Sequence, residues 1–275
     1  MQLLVSVRSA AEVGPALSGG ADIIDAKEPH RGSLGPVSPA TLAEILALVP
    51  SDCPFSLALG DLANPEDAIT AITSVTLPVR TAPTYLKLGF AGVRSPEMVT
   101  RVLATAVATL GDSGSPALVV AVAYADAVRA GTLTPDLIGR RAQGAGASGL
   151  LLDTHTKDGM GLLEWISPPA LGAWVAGARD QGLLTAVAGS LTLENLETVL
   201  ASGADVVGVR GAACQGGRRG EVRAGRVLGL RQRLDAFGLC SVRPASYGCR
   251  SDGETRDGAA IPLPHNGAKS HKTNA

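Results

Sequence analysis

Eight short apolar runs recur along this 275-residue chain, and each is followed by a segment long enough to form a helix. The runs are too short for independent helices. Several are rich in β-branched residues and bounded by Gly or Pro, which favours buried parallel strands. They are Leu3–Val7, Asp22–Ala26, Phe55–Leu59, Tyr85–Gly89, Leu118–Ala123, Gly149–Asp153, Leu184–Ala188 and Val206–Val209. Strand and helix alternating over eight units predict an α/β fold, a single (β/α)8 TIM barrel, whose usual length of about 250 residues fits the chain.

An open, doubly wound sheet would also alternate strands with helices. No G-x-G-x-x-G sequence follows the first run, however, so the closed barrel is favoured. From about residue 236 onward, Gly, Pro, Ser, Arg and Asn dominate without a periodic apolar face. The sequence therefore predicts a catalytic barrel over 1–235 and a flexible tail over 236–275.

Composition limits the classes of function. Hydrophobic residues make up 45% of the chain and the formal net charge is −1, so broad binding to nucleic acid or to a membrane surface is not expected. We find neither a signal-like leader nor an apolar stretch long enough to span a membrane. The four cysteines form no C-x-x-C pair and no zinc-like spacing with histidine. These patterns predict a cytoplasmic protein with free thiols and no metal site.

Lysine is rare and unevenly placed. The chain has five lysines against nineteen arginines, and three of the five lie where predicted strands end: Lys27, Lys87 and Lys157. These three belong to the second, fourth and sixth strands, and alternate strands of a barrel contribute side chains to a common layer. Three amines in one pocket would repel one another and would be desolvated, so at least one should be neutral near pH 7. A neutral amine can form an imine or accept a proton, which a guanidinium cannot do.

Two carboxylates accompany the lysines. Asp25 lies two residues before Lys27, on the same side of an extended strand, and Asp153 ends the sixth strand four residues before Lys157. Each acid could hold an amine protonated or act as an acid–base group. Structural ion pairs at strand ends remain an alternative for any single pair.

Phosphate sites are predicted in two places. Gly189 and Ser190 follow the seventh strand, and Arg210 and Gly211 follow the eighth. The loops after the last two strands are a frequent phosphate site in this fold, because their glycines expose backbone N–H groups to an anion. A second anion could be held by Arg31 and Ser33 in the loop directly after Lys27, although that loop could equally be an ordinary turn.

Several motifs, in this order, make the chain resemble the (5-formylfuran-3-yl)methyl phosphate synthase family, whose members are also described as 4-(hydroxymethyl)-2-furancarboxaldehyde phosphate synthases. The similarity extends over nearly the whole barrel. The most specific pieces are Gly19-Gly-Ala-Asp-Ile-Ile-Asp25-Ala-Lys27, Gly32-Ser-Leu-Gly35, Tyr124-Ala-Asp126-Ala, Leu152-Asp153-Thr-x-x-Lys157-Asp-Gly159 and Gly208-Val-Arg210-Gly-Ala-Ala-Cys214.

The resemblance implies a lyase that condenses two molecules of glyceraldehyde 3-phosphate into a phosphorylated furan aldehyde, a precursor of methanofuran-type one-carbon carriers. By motif, Lys27 matches the Schiff-base lysine and Lys87 the proton acceptor, while Asp25, Asp153 and Lys157 match supporting groups. The resemblance also implies that no metal or organic cofactor is needed. We further expect a homo-oligomer whose only ligand is its small-molecule substrate.

Two other functions stay open on sequence grounds. One is a different Schiff-base enzyme on the same scaffold, such as a phosphosugar aldolase, because the lysine placement would also suit it. The other is a barrel that binds a phosphorylated metabolite without catalysis. The product formed from glyceraldehyde 3-phosphate alone would distinguish an aldolase from a furan-forming enzyme. Borohydride would trap no substrate adduct on a barrel that only binds its ligand.

Overall fold

The eight predicted strands form a closed parallel barrel in which each strand pairs with the next along the chain and the eighth pairs with the first. The computed structural model describes residues 1–241. Closure leaves no free edge, which confirms the TIM barrel and excludes the open sheet. The strands are β1 Gln2–Val7, β2 Ile23–Ala26, β3 Phe55–Asp61, β4 Thr84–Gly89, β5 Leu118–Tyr124, β6 Gly149–Asp153, β7 Leu184–Val187 and β8 Val206–Val209.

The strands are buried on both faces, as the nearly continuous apolar runs predict for a parallel sheet. Every residue of β2, β6 and β8 is buried. Because side chains alternate along a strand, one set packs outward against the helices and the other fills the barrel. In β5, Val120 and Val122 belong to the interior set, whereas Val119 and Ala121 pack in the cluster beneath the helices. The same alternation directs Asp25 and Lys27 into the barrel.

The helices surround the barrel, and four of them begin with the same signal, a Ser or Asn followed by Pro. In each, the side-chain oxygen accepts a hydrogen bond from the backbone N–H three residues later, and Pro occupies the first helical position, where no donor is needed. The helices are α1 Val13–Ser18, α2 Pro39–Leu46, α3 Pro65–Thr73, α4 Pro96–Asp112, α5 Ala127–Ala130, α6 Pro135–Gly144, α7 Pro168–Asp180, α8 Leu196–Leu200 and α9 Ala224–Ser241.

Between β8 and α9 the chain forms a small antiparallel hairpin from β9 Cys214–Gln215 and β10 Glu221–Val222. Its turn contains Gly220, where an added Cβ would lie only 1.7 Å from the Gln215 carbonyl oxygen, so only glycine fits. The hairpin lies beside the carboxyl ends of the barrel strands, and its turn carries Arg218 and Arg219.

The last helix spans residue 235, the predicted boundary between the barrel and the tail. Helix α9 runs to Ser241, six residues beyond the predicted end of the barrel domain at 235. The predicted flexible tail from 242 to 275 lies outside the described residues. Within the described part, Cys53 and Cys214 are free thiols. Among residues 1–241, no helix combines the length and the apolar character needed to cross a membrane.

Candidate active site

A pocket of about 240 Å³ opens at the carboxyl ends of the barrel strands, where TIM barrels place their active sites. The three strand-end lysines and both predicted carboxylates line it, so the structure brings together the groups that sequence placed on β2, β4 and β6. Alternate residues of these strands form much of its wall. The wall includes Ile23, Asp25, Lys27, Tyr85, Lys87, Leu151, Asp153 and Lys157.

Lys27 follows the last residue of β2, and its backbone N–H donates to the Val7 carbonyl oxygen at 2.9 Å, which extends the barrel ladder by one residue. The side chain is only 7% exposed. Burial lowers the pKa of the Lys27 amine to about 7; Asp153 and Asp25 oppose this shift, and the positive charges of Lys87 and Lys157 reinforce it. A substantial fraction of Lys27 is therefore an uncharged nucleophile at neutral pH.

Asp25 and Lys87 form the first acid–lysine pair beside Lys27. The Lys87 Nζ lies 2.5 Å from Asp25 Oδ1, and both side chains are buried. Asp25 Oδ2 accepts a hydrogen bond from the Ser6 hydroxyl at 2.7 Å. Burial would raise the pKa of Asp25, but the attraction of Lys87 and Lys27 outweighs it and holds the pKa below its usual value. Asp25 is thus a carboxylate that fixes the Lys87 amine within the pocket.

Asp153 and Lys157 form the second pair. The Lys157 Nζ donates to Asp153 Oδ1 at 2.6 Å and to the Thr154 hydroxyl at 2.9 Å. Burial alone would raise the pKa of Asp153, but the positive charges of Lys157 and Lys27, with hydrogen bonds from Lys157 and the Thr154 N–H, lower it to about 2. Asp153 therefore stays ionised and holds the Lys157 ammonium group at the pocket wall.

The loop that carries Lys157 depends on Asp126, a residue of the Tyr124-Ala-Asp126-Ala motif. The buried Asp126 carboxylate accepts the backbone N–H groups of His155 at 2.6 Å and Thr156 at 2.9 Å. It thereby joins the loop after β5 to the loop after β6. The Tyr124-Ala-Asp126 motif thus positions the second pair without touching the pocket.

The three lysines and two aspartates of the pocket are balanced in charge when Lys27 is neutral. Two carboxylates offset the two ammonium groups of Lys87 and Lys157. A protonated Lys27 would add an uncompensated positive charge to a buried site, which is unfavourable. The geometry thus supplies one neutral amine flanked by two amines that can carry protons, the combination that imine chemistry needs.

The predicted loop after β7 also reaches the pocket, through Gly189 and Ser190. Gly189 has φ of 118°, and Ser190, with φ of 51°, is alone among the described non-glycine residues in adopting a positive φ. Such a conformation in a non-glycine residue is strained and concentrates at functional sites. Gly211, after β8, lies on the same wall. These three residues remain candidates for backbone contacts to phosphate.

Arg210 lines the pocket, but its side chain is not available for the predicted contact with phosphate. Its Nη1 and Nη2 donate to the two oxygens of the buried Glu12 carboxylate, at 2.5 and 3.0 Å. The remaining N–H groups donate to the carbonyl oxygens of Ser6, Arg218 and Gly220. All five donors are therefore used within the protein. The structure assigns Arg210 to holding the loop after β8 in place.

The predicted second anion site also differs. Arg31 is exposed and donates to the Pro36 carbonyl oxygen at 3.5 Å, whereas Ser33 is buried and its hydroxyl donates to the Tyr124 hydroxyl at 3.2 Å. Tyr124 in turn donates to Asp61 at 2.7 Å. Neither Arg31 nor Ser33 lines the pocket, because the turn directs Arg31 to solvent and Ser33 into a hydrogen-bond network.

A cation that sequence analysis missed does reach the pocket. Arg218, in the Gly216-Gly-Arg218-Arg-Gly220 turn, lines the pocket beside the loop after β8. The available signal was a pair of arginines enclosed by glycines directly after a predicted phosphate loop. That signal gives no indication of which arginine faces the site, since the answer depends on how the hairpin folds back.

Among residues 1–241, no cluster of three or more His, Cys, Asp and Glu side chains could hold a metal ion. The residues that line the pocket offer amines, carboxylates, hydroxyls, the Arg218 guanidinium and backbone groups.

Comparison with known proteins gives a consistent result. The sequence profile of the 4-HFC-P synthase family matches residues 3–231. The chain is 38% identical over 239 residues to the (5-formylfuran-3-yl)methyl phosphate synthase of Methanothermobacter thermautotrophicus, covering 86% of this chain and 100% of that protein. It is 37% identical over 228 residues to the enzyme of the same name from Methanocaldococcus jannaschii, covering 83% of this chain and 96% of that one.

Solved structures of distant sequence share the fold. A phosphoribosylanthranilate isomerase from Thermotoga maritima superposes with a TM-score of 0.52 at 13% identity, covering 86% of this chain and 98% of that one. The Amycolatopsis orientalis BexX/CysO complex contains a chain with a TM-score of 0.55 at 16% identity, covering 90% and 94%. At these identities the likeness concerns the barrel alone.

Proposed function

The chain belongs to the 4-HFC-P synthase family, and on that premise we propose that it condenses two molecules of glyceraldehyde 3-phosphate into (5-formylfuran-3-yl)methyl phosphate, with release of phosphate and water. The reaction class is that of a carbon–oxygen lyase acting on phosphates. The product would serve as the furan precursor of a methanofuran-type one-carbon carrier. A cytoplasmic location and independence of any cofactor are parts of the same proposal.

The observation that carries the proposal is the environment of Lys27, a buried amine with its pKa lowered to about 7 between two acid–lysine pairs. A purely structural lysine would gain from a direct carboxylate partner, as Lys87 and Lys157 have. Lys27 forms no such ion pair among the described residues, although it faces the pocket. An unpaired, neutral amine on a pocket wall is poised for attack on a carbonyl carbon.

In the proposed first step, the Lys27 nitrogen attacks the aldehyde carbon of one substrate molecule. The resulting hydroxyl must leave as water, and the Lys87 ammonium can supply the proton that this departure requires. The Lys87 amine is then neutral and can accept a proton from the carbon next to the imine. The enamine so formed is the nucleophile that joins the second aldehyde.

The two carboxylates act on the lysines in this scheme. Asp25 and Asp153 both have lowered pKa values, so neither is a ready proton donor near neutral pH. Their role is to orient Lys87 and Lys157 and to stabilise their charged forms. Lys157, in the loop after β6, can assist the proton transfers that accompany ring closure and the loss of phosphate.

Substrate phosphate is proposed to lie against the loops after β7 and β8, where Gly189, Ser190 and Gly211 line the pocket. The strained Ser190 conformation supports this placement, because a folded chain retains such strain where backbone geometry serves a ligand.

The test is to incubate the purified full-length protein with glyceraldehyde 3-phosphate alone and to identify the products by mass spectrometry, with a parallel assay of inorganic phosphate. We expect the furan aldehyde phosphate and an equal amount of phosphate, and undiminished turnover in excess chelator. A sugar bisphosphate without furan would indicate an aldolase instead. A requirement for a divalent ion, restored after chelation, would contradict the cofactor-independent scheme.

A further inference from the structure

Arg218 occupies a boundary between two cavities. It lines the inner pocket together with Lys27, and it also lines an outer cleft formed by the loops after β2 and β6 and by the β9–β10 turn. Lys157 is the only other residue that lines both. These two cations therefore form the neck through which the inner pocket opens outward. The remaining lining residues of the cleft are Pro29, His30, Gly32, His155, Gly216 and Arg219.

None of the described residues that line the outer cleft is acidic. Three of its basic groups already have a carboxylate partner. Lys157 pairs with Asp153, His30 contacts Glu28 at 2.8 Å, and His155 lies 4.0 Å from Asp61. Arg218 has no carboxylate within ion-pair distance among residues 1–241. A half-buried guanidinium without a carboxylate partner is unfavourable unless an anion completes it.

The Arg218 side chain is held in place by one edge only. Its Nη2 donates to the carbonyl oxygen of Gly32 at 2.5 Å and more weakly to that of Pro29 at 3.4 Å. Its Nε and Nη1 groups have no acceptor among the described residues. A guanidinium with one anchored edge and free donors is preorganised for an oxyanion, since little side-chain freedom remains to be lost on binding.

The loop that presents Arg218 is fixed from beneath by Arg210. Arg210 donates to the carbonyl oxygens of Arg218 itself and of Gly220, while its two Nη atoms hold the buried Glu12 carboxylate. Arg210 thus fixes the backbone of the loop, and Arg218 is left to face the neck. Sequence analysis assigned the contact with phosphate to Arg210, whose side chain instead supports the loop.

We propose that Arg218, with Lys157 across the neck, binds a phosphate monoester, and that the Arg210–Glu12 pair positions Arg218 for this contact. The site lies next to the backbone phosphate site after β7 and β8, because the Arg218 backbone lies beside Gly211, and it differs from that site in using side-chain cations. It rests on the proposed function in one respect, because a reaction that joins two phosphorylated aldehydes needs a second phosphate site. A substrate molecule bound at the neck has its phosphate outside the inner pocket while its aldehyde reaches Lys27.

The experiment uses glycerol 3-phosphate, which carries a phosphate monoester but no carbonyl and so cannot react with Lys27. Its dissociation constant is measured by calorimetry for the full-length wild-type protein and for Arg218→Met, which keeps the side-chain length and removes the charge. We expect weaker binding by about tenfold or more, the usual effect of losing a charge-assisted hydrogen bond. Arg223→Met is the control, because Arg223 is an exposed residue of the same region, paired with Glu221 and outside both cavities.

Arg218→Gln separates binding from support of the loop. Glutamine keeps an N–H donor for the Gly32 carbonyl oxygen but carries no charge. The proposal expects Arg218→Gln to bind glycerol 3-phosphate as weakly as Arg218→Met does, and Arg218→Lys to recover part of the affinity. If glutamine restores wild-type affinity, Arg218 only supports the loop and the proposal is overturned.

Kinetics distinguish this proposal from the proposed function. With glyceraldehyde 3-phosphate, Arg218→Met should raise KM about tenfold or more while borohydride still traps substrate on Lys27 at saturation. A wild-type protein that forms no furan would refute the proposed function, yet the glycerol 3-phosphate comparison would still test the neck. A furan-forming protein whose KM and glycerol 3-phosphate affinity are unchanged in Arg218→Met would refute the neck site alone.

Discussion

The Lys87 Nζ lies 2.5 Å from Asp25 Oδ1, although the two residues belong to strands that are not neighbours in the barrel. Lys87 is on β4 and Asp25 on β2, with β3 between them. Their contact across the interior follows from the layering of TIM barrels, in which alternate strands fill a common level. The pair places a fixed positive charge near Lys27, which helps to keep Lys27 neutral.

Replacing Lys27 by arginine should abolish covalent trapping. A guanidinium keeps the positive charge but is too weak a nucleophile to form an imine. Borohydride added to the wild-type protein during turnover should leave a stable adduct on the peptide that carries Lys27, and Lys27→Arg should show none by peptide mass spectrometry.

Lys87→Arg is the matched variant for that experiment. It keeps a cation beside Asp25 and leaves Lys27 in place, so it should still be labelled while furan formation falls sharply. A label found on Lys157, together with labelling that persists in Lys27→Arg, would show that the nucleophile has been assigned to the wrong lysine.

The rate of imine formation should rise with pH through about 7, because attack requires the neutral Lys27 amine and burial lowers its pKa to that value. The initial rate of adduct formation, measured by quenching at a series of pH values, should increase about tenfold per pH unit well below 7 and level off above it. A rise that continued toward the ordinary lysine pKa of 10.5 would contradict a desolvated nucleophile.

The free energy of unfolding should also depend on pH through the ionisation of Lys27. Between about pH 7 and 10.5 the folded Lys27 has lost its proton while the unfolded lysine retains it, so the unfolded state binds more protons. The contribution of Lys27 to the free energy of unfolding therefore increases as pH rises through this window. Below pH 7 the buried amine is charged, and its destabilising effect on the folded state is fully present. The free energies of unfolding of the wild type and of Lys27→Met can be measured by chemical denaturation at both ends of the window. The difference between the two values should shrink with rising pH.

The fold could be predicted largely from the sequence because the relevant signals are local. Each apolar run bounded by turn residues became a strand within one or two residues of its predicted ends, and the Ser-Pro and Asn-Pro caps mark where four helices begin. The end of α9 could not be placed in the same way. Its hydrophobic pattern fades near 236, yet the helix continues to Ser241.

The site was predictable where it depends on strand position alone. Lys27, Lys87 and Asp153 lie at the ends of even-numbered strands, so alternation and layering suffice to bring them together. The roles of the arginines depend on contacts that are distant in sequence. Glu12 precedes Arg210 by 198 residues, and no local pattern shows that its carboxylate takes up the guanidinium. Sequence could therefore locate the cationic loop but could not tell which arginine is free.

The losses in stability from removing Asp25 and from removing Lys87 should not add. Lys87→Met leaves a buried carboxylate with only Ser6 and Lys27 nearby, and Asp25→Asn leaves a buried ammonium group beside Lys27. Each single change is expected to destabilise the protein by about 3–5 kcal/mol, and the double variant by less than their sum. Urea unfolding of all four proteins completes the cycle; strictly additive losses would show that the two side chains do not interact.

Arg210→Ala should act first on stability, because its guanidinium is committed to Glu12 and to three backbone carbonyl oxygens. The change leaves the Glu12 carboxylate buried without its main cation, and the expected loss in the free energy of unfolding is about 3–5 kcal/mol. Arg233→Ala breaks the exposed pair with Glu197 and should cost less than about 1 kcal/mol, which makes it the control. At a temperature where Arg210→Ala is folded, its KM should exceed the wild-type value, as that of Arg218→Met does, because the loop is no longer held in place. Adding Arg218→Met to Arg210→Ala should bring little further increase in KM. If Arg210→Ala keeps wild-type stability while KM alone rises, Arg210 binds substrate directly and the division of roles between the two arginines is wrong.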